Sequence, residues 1–255
     1  MTNEPGQQST AASRLLADPS TLRRCELTVI MPVYNEEASL PGCAASWLAE
    51  LDQLGIDYRL LLIDDGSSDG TAGVLADLEP NDRVLAVSKS NEGHGPTILA
   101  GYRLGVRTSD WVFQVDSDDE IPANAFPDVW QARDGVDAVF GIRTGRDQSI
   151  DRRFISLTAA MTSRLLFRSR VTDVNVPYRL IRSEALAPIL DALPDDTFAP
   201  NVVISGALGR NEAGFAEVEV PHEHRQAGEV SIVGWGAMRA AARSFGQTVR
   251  LVRTV

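Results

Sequence analysis

The chain has 255 residues, which allows one large domain or two small ones. Its net charge of −11 excludes general nucleic-acid binding, which needs a basic footprint. Residues 1–24 lack the apolar core of a signal peptide, and no stretch reaches the ~18 consecutive apolar residues of a membrane span, so the expected location is cytoplasmic, with a peripheral place at the inner membrane surface as the alternative.

Residues 1–24, rich in Gln, Ser, Thr and Ala, read as a disordered tail. A strand over 27–31 is expected to end at Pro32. Val33-Tyr-Asn-Glu-Glu37 then leads into a helix over about 38–54, with Asn35 as N-cap and carboxylates in the first turn. A second strand over 58–63 runs into Asp64-Asp65-Gly66-Ser67-Ser68-Asp69-Gly70-Thr71, a turn-rich loop before a helix near 71–78. A third strand is expected over 84–87. The glycine loop Ser90-Asn-Glu-Gly-His-Gly-Pro96 precedes a helix over 97–107, and a fourth strand covers 111–116.

This β-α-β-α-β-α-β order predicts a parallel sheet with right-handed crossovers. The loops after strands one, two and four then share the sheet's C-terminal edge, where open α/β sheets bind ligands. That rim would carry Tyr34, Asn35, Glu36, Asp64, Asp65, Asp116 and Asp118. Asn91 and Gly93 lie in a loop that is a weak phosphate-cradle signal. It lacks both the Gly-x-Gly-x-x-Gly spacing and a Gly-Lys-Ser/Thr ending, which disfavours a dinucleotide fold and a P-loop kinase.

The fourth strand stops in acid. Asp116, Asp118, Asp119 and Glu120 put four carboxylates in five residues, which repel unless a cation sits among them. Hard oxygen donors suit Mg²⁺ or Mn²⁺, and those ions suit phosphates. The expectation is a metal–diphosphate site with Asp116, Asp118 and Glu120 as ligands; the alternative is a solvated acidic turn.

The second half is rich in arginine; the chain has one lysine, Lys89. After a strand over 137–142, Arg143, Arg152 and Arg153 are candidates for phosphate contacts, since a guanidinium grips phosphate bidentately. Arg164, Arg168 and Arg170 read as an exposed helix face. A strand entered from Asp173 ends near 181, helices follow near 183–191 and 201–210, and another strand covers 215–220. His222, His224 and Arg225 then fall in a glycine-containing loop, facing a ligand or serving a structural part. From Gly234 an amphipathic helix places Trp235, Met238, Ala242, Phe245, Val249 and Val252 on one stripe. It would pack on the domain, on a second copy in a homo-oligomer, or on anionic lipid. Cys25 and Cys43 form neither a disulfide framework nor a zinc pattern and read as packed free thiols.

These residues resemble the family 2 glycosyltransferases of the GT-A fold, and more closely the dolichol- and polyprenyl-phosphate sugar synthase branch. The motifs concerned are Val29-Ile-Met-Pro-Val-Tyr-Asn-Glu-Glu37, Ile63-Asp-Asp-Gly-Ser-Ser-Asp-Gly-Thr71, Asp116-Ser-Asp118 and Arg225-Gln-Ala-Gly-Glu-Val-Ser231. The resemblance implies a single-domain α/β fold over 25–232, with a mostly parallel sheet flanked by helices and the amphipathic helix over 233–255. It implies that Pro32, Tyr34, Glu36 and one of Asp64 and Asp65 hold the base and ribose of a nucleotide sugar. Asn35, Gly66 and Ser117, within the same motifs, join Asn91 and Gly93 in that wall. Asp116 and Asp118 take the place of the family's metal-binding pair. In the branch a glutamine often follows two residues later, where this chain has Glu120. Arg143, Arg152 and Arg153 match the loop that embraces the acceptor, and His222, His224, Arg225 and Ser231 approach the phosphates or the acceptor.

The implied reaction is inverting transfer from a UDP-, GDP- or dTDP-linked sugar to a phosphate-bearing lipid or small molecule. A phosphate acceptor needs no general base; an alcohol would need one, with Asp173 as first candidate and His224 as second. Two other readings compete: a soluble transferase acting on a hydroxyl, and a non-catalytic nucleotide-sugar-binding protein. A nucleotidyltransferase is disfavoured, because the loop after strand one is acidic.

Overall fold

The computed structural model describes residues 18–144, 169–210 and 214–222. The expected tail lies mostly outside these residues and the helix over 233–255 lies wholly outside them. The chain runs β1 (Cys25–Val33), α1 (Leu40–Leu54), β2 (Tyr58–Asp64), α2 (Thr71–Leu78), β3 (Val84–Ser88), α3 (His94–Thr108), β4 (Ser109–Val115), α4 (Phe126–Gln131), β5 (Ala138–Thr144), β6 (Tyr178–Arg182), α5 (Ser183–Asp191), α6 (Pro200–Leu208) and β7 (Phe215–Pro221).

The strands form one sheet in the order β3-β2-β1-β4-β6-β5-β7. β1 pairs in parallel with β2 and β4, and β2 with β3, as the alternation predicts. β6 then enters antiparallel between β4 and β5, while β5 and β7 are parallel. Helices cover the central strands, so β1 and β2 read as near-continuous apolar runs; Leu27, Val29, Ile30, Met31 and residues 60–63 have no exposed surface.

α1 buries Leu40, Cys43, Ala44, Trp47 and Leu51, one stripe at helical spacing, and stops at Gly55 in the left-handed conformation. Trp47 meets Phe113 at 5.4 Å, and Phe113 meets Phe126 at 4.7 Å and Tyr178 at 4.8 Å. That aromatic block lies beneath the end of β4. On α3, a Cβ at Gly101 would collide with Ile30 Cγ2, and one at Gly105 would lie 2.6 Å from Val112 Cγ1. The two glycines therefore let α3 lie close on β1 and β4. Cys25 and Cys43 are buried free thiols, as expected, and burial pushes the Cys43 thiol up to about 12. No described helix is long and apolar enough to cross a membrane.

The structure differs from the sequence expectations in four places. β1 continues through Pro32, which pairs with Ile63, to Val33. The ladder to β4 ends at Ile30, so the missing proline N–H is tolerated. Asn35 is not a helix cap: α1 starts at Leu40 after Ser39, with no acid in its first turn. α3 starts at His94, taking the last residues of the glycine loop into its first turn. α4 was not foreseen; at 6 residues it is too short to show a helical period.

Candidate active site

The loops after β1 and β2 are stapled together. Asn35 has φ 55, the left-handed region that asparagine tolerates better than most residues. This turns its side chain outward to accept from Ser68 N at 2.8 Å, while its own N–H donates to Ser67 Oγ at 2.9 Å. Glu36 N donates to Thr71 Oγ1 at 3.0 Å, and Gly70 N donates to Glu37 Oε2 at 3.0 Å. The staple presents Pro32, Tyr34, Asn35 and Glu36 to a cleft of about 1330 Å³. Tyr34 is the one exposed large hydrophobic residue described, at 48%.

Asp64 and Asp65 are both 4% exposed but do different work. Asp64 accepts from Ser67 N at 2.9 Å and Ser67 Oγ at 2.6 Å, which fixes the turn, and does not line the cleft. Gly66 also stays out of the lining; its φ of 72 and the backbone of Asn91 2.9 Å from its would-be Cβ give it a turn-forming part. Asp65 does line the cleft. Lys89 Nζ donates to it at 2.7 Å, Glu92 N at 3.0 Å and Gly93 N at 2.9 Å. Burial raises the Asp65 carboxyl, but Lys89 and these amides outweigh it and hold the group below its usual value. Asn91 and Gly93 border the cleft as expected, yet the loop's amides at Glu92 and Gly93 already serve Asp65. The phosphate-cradle reading of this loop is corrected accordingly.

Asp116, Ser117, Asp118 and Glu120 all reach the cleft. Asp119, with φ 57, makes the turn that separates them, and Glu120 N donates to Asp118 Oδ1 at 3.2 Å. Asp116 Oδ1 accepts from Gln114 Nε2 at 2.9 Å and lies 3.7 Å from His94 Nε2. Burial pushes the Asp116 carboxyl up, against the pull of His94 and Arg143. Asp116 and Asp118, two residues apart and both lining the cleft, are a donor pair suited to a hard divalent cation. Glu120 is paired with His222 at the edge of the cleft, with Oε2 and Nε2 3.1 Å apart. Among the described residues no three acidic, histidine or cysteine side chains assemble as a metal cage. Of the three acids expected as ligands, Asp116 and Asp118 line the cleft, and Glu120, which lines it too, is paired with His222. Two carboxylates still fit Mg²⁺ or Mn²⁺, which take one or two from the protein and the rest from water and substrate phosphates.

Arg143 lines the cleft and grips Asp173 bidentately, Nε to Oδ2 at 2.8 Å and Nη2 to Oδ1 at 3.0 Å. Asp173, the partner of Arg143, and His222, the partner of Glu120, are not part of the lining. Arg152, Arg153, His224, Arg225 and Ser231 lie outside the described residues. Sequence reasoning missed Gln114, His94 and Asn201. His94 stands in the glycine loop already singled out, whereas nothing in the local pattern marks Gln114, a buried amide inside an apolar strand. Asn201 comes to the cleft from the N-terminus of α6, 87 residues away from Gln114.

The family model described as "Glycosyl transferase family 2" matches residues 28–188. The chain is 33% identical over 210 residues to an undecaprenyl-phosphate 4-deoxy-4-formamido-L-arabinose transferase of Shewanella sediminis, covering 80% of this chain and 60% of that protein. The protein of the same name from Pectobacterium carotovorum is 31% identical over 206 residues, covering 79% and 61%. The chain thus spans about three fifths of the length of the curated relatives it matches. Its fold is similar to that of glucosyl-3-phosphoglycerate synthase from Mycobacterium tuberculosis, solved with Mn²⁺, UDP-glucose and glycerol 3-phosphate. The TM-score is 0.63 at 18% identity, over 97% of this chain and 87% of the other. A mannosyl-3-phosphoglycerate synthase from Rubrobacter xylanophilus gives 0.56 at 17% identity, over 97% and 78%.

Proposed function

The chain belongs to glycosyl transferase family 2, and on that premise we propose that it moves a sugar from a nucleotide-sugar donor to a phosphate-bearing acceptor, a polyprenyl phosphate in the first instance. The observation that carries this reading is the convergence of three strand ends on one cleft. β1 brings Tyr34 and Glu36, β2 brings Asp65, and β4 brings Asp116 and Asp118. The relatives' names supply the class of acceptor.

In this reading Tyr34 stacks on the base, while Glu36 and Asp65 orient the base and ribose. Asp116 and Asp118 would hold Mg²⁺ or Mn²⁺, which would supply neutralisation of the charge on the diphosphate leaving group. The acceptor oxygen attacks the anomeric carbon from the face opposite the diphosphate, and the sugar–phosphate bond breaks as the new bond forms, inverting the centre. A phosphate acceptor is already an anion. The Arg143–Asp173 pair favours such an acceptor: both Asp173 oxygens accept from the guanidinium, so this carboxylate would have to leave its partner to act as a base.

A second reading has one observation behind it. The described lining of the cleft includes Asp195, paired with Arg103 from outside it, and Asp196, together with Asn175 and Phe198, and Arg143 is its only arginine. An acidic wall of that kind favours a neutral small-molecule hydroxyl. Incubating the protein with UDP-, GDP- and dTDP-sugars, Mn²⁺ and either polyprenyl phosphate or a panel of small alcohols, with mass-spectrometric detection, decides between them. Product only on the phosphate supports the first reading, product only on an alcohol supports the second, and no turnover with any donor sinks both.

A further inference from the structure

Asp116 is aimed by a buried amide relay. Gln114 is fully buried, and Asn201 is 4% exposed at the cleft wall. Asn201 Nδ2 donates to Gln114 Oε1 at 3.0 Å, and Gln114 Nε2 donates to Asp116 Oδ1 at 2.9 Å. The first bond settles the second: once the Gln114 oxygen accepts from Asn201, its NH₂ must face Asp116. Asn201 is itself anchored through its main chain. The fully buried Arg179 donates from Nη1 to Asn201 O at 3.1 Å and to Ser205 Oγ at 3.0 Å. The same guanidinium donates to Val174 O at 3.2 Å and Val176 O at 2.7 Å. It thereby ties α6 to the segment that enters β6.

We infer that Gln114 and Asn201 are positioning residues for the reaction, an amide relay that carries the placement of α6 across to the carboxylate of Asp116. The inference rests on the proposed role of Asp116 toward the metal and diphosphate. A partly exposed carboxylate with one rotamer loose would present either oxygen to the cleft; a charge-assisted bond from a locked amide leaves one orientation. Partners of this kind orient ligands and tune their affinity without touching the ion. The relay also makes the donor side sensitive to α6, which begins where the acceptor-side wall lies.

Manganese binding to the metal-free protein, followed by the loss of the free-ion electron paramagnetic resonance signal, tests the relay apart from turnover. The variants are Gln114→Met, which keeps size and removes the donor, and Asn201→Asp, which keeps shape and sets an acceptor against Gln114 Oε1. The second change turns the Gln114 amide so that its oxygen faces Asp116. Each is expected to weaken Mn²⁺ binding about tenfold or more, with circular dichroism unchanged. The double variant is expected to be no weaker than Gln114→Met alone, because both changes break the same chain. Unchanged affinity in folded single variants, additive losses in the double variant, or unfolding of both single variants would each overturn the relay. Loss of Mn²⁺ binding in Asp118→Asn but not in Gln114→Met would overturn the relay alone. Wild-type protein that binds no Mn²⁺ would overturn the metal reading and the relay together.

Discussion

Asp118 and Asp65 are both carboxylates of one cleft, and their surroundings predict opposite consequences for their loss. Asp118 stands in the acidic turn, so replacing it relieves repulsion. Asp118→Asn is expected to leave the melting temperature unchanged or slightly raised, and to lower kcat by a factor of about 10²–10³, typical for loss of an electrostatic stabiliser. Calorimetry and a donor-turnover assay check both halves. Asp65 instead has a built clamp, with Lys89 and two backbone amides around a carboxyl held below its usual value. A group depressed in the folded state contributes stability above its unfolded value, about 3.9. That contribution falls as the pH drops through the folded value. The wild-type protein should therefore lose stability below about pH 4, and Asp65→Asn should be less stable at pH 7 with a flatter acid limb. Parallel acid limbs for the two proteins in a pH series of melts would show that the clamp contributes nothing.

At the scale of elements, the contacts between α3, α6 and the strand ends set the cleft's shape. Gly95, in the first turn of α3, faces backbone: a Cβ there would collide with Phe198 O and lie 2.5 Å from Thr197 O. Backbone yields less readily than a flexible side chain. Gly95→Ala should therefore cost about 1–3 kcal/mol and weaken donor binding, since residues on both sides of that contact line the cleft. Chemical denaturation and a titration with nucleotide sugar measure the two effects. Arg179 is a harsher case, with four main-chain and hydroxyl acceptors depending on one buried guanidinium. Removing a donor leaves buried acceptors unsatisfied at about 1–3 kcal/mol each. Arg179→Met should lose several of these and expand or unfold the region around α6, visible as lost hydrogen-exchange protection in residues 200–208.

At the scale of the whole molecule, donor binding is expected to stabilise the fold, with more stabilisation when Mn²⁺ is present. At a ligand concentration of 100 times its Kd the gain is about 2.7 kcal/mol. A thermal shift with the matching nucleotide sugar should rise on adding Mn²⁺ and fall on adding EDTA. No shift with any uridine, guanosine or thymidine diphosphate sugar would remove the donor assignment. Flotation with anionic vesicles addresses the acceptor. If that acceptor is a membrane lipid, the full chain should float and the chain lacking residues 234–255 should not.

The sequence by itself determined the half of the molecule governed by local periodicity. Apolar runs of strand length alternating with helical stripes admit a parallel β-α sheet, and the rule that loops after such strands share one edge brought Tyr34, Glu36, Asp65, Asp116 and Asp118 together without coordinates. Motif resemblance supplied the family. Tertiary structure alone decided the rest, because the deciding contacts are between residues far apart in the chain. Only the fold shows that Asp64 serves its own turn while Asp65 faces the cleft, since adjacent residues in one loop carry the same composition signal. Only the fold turns Glu120 to His222 across 102 residues, couples Asp173 to Arg143, and places Asn201 beside Gln114. Hydrophobic pattern is local and survives in a string of letters; partner choice among buried polar groups is settled only when packing removes water and each donor must find an acceptor within reach.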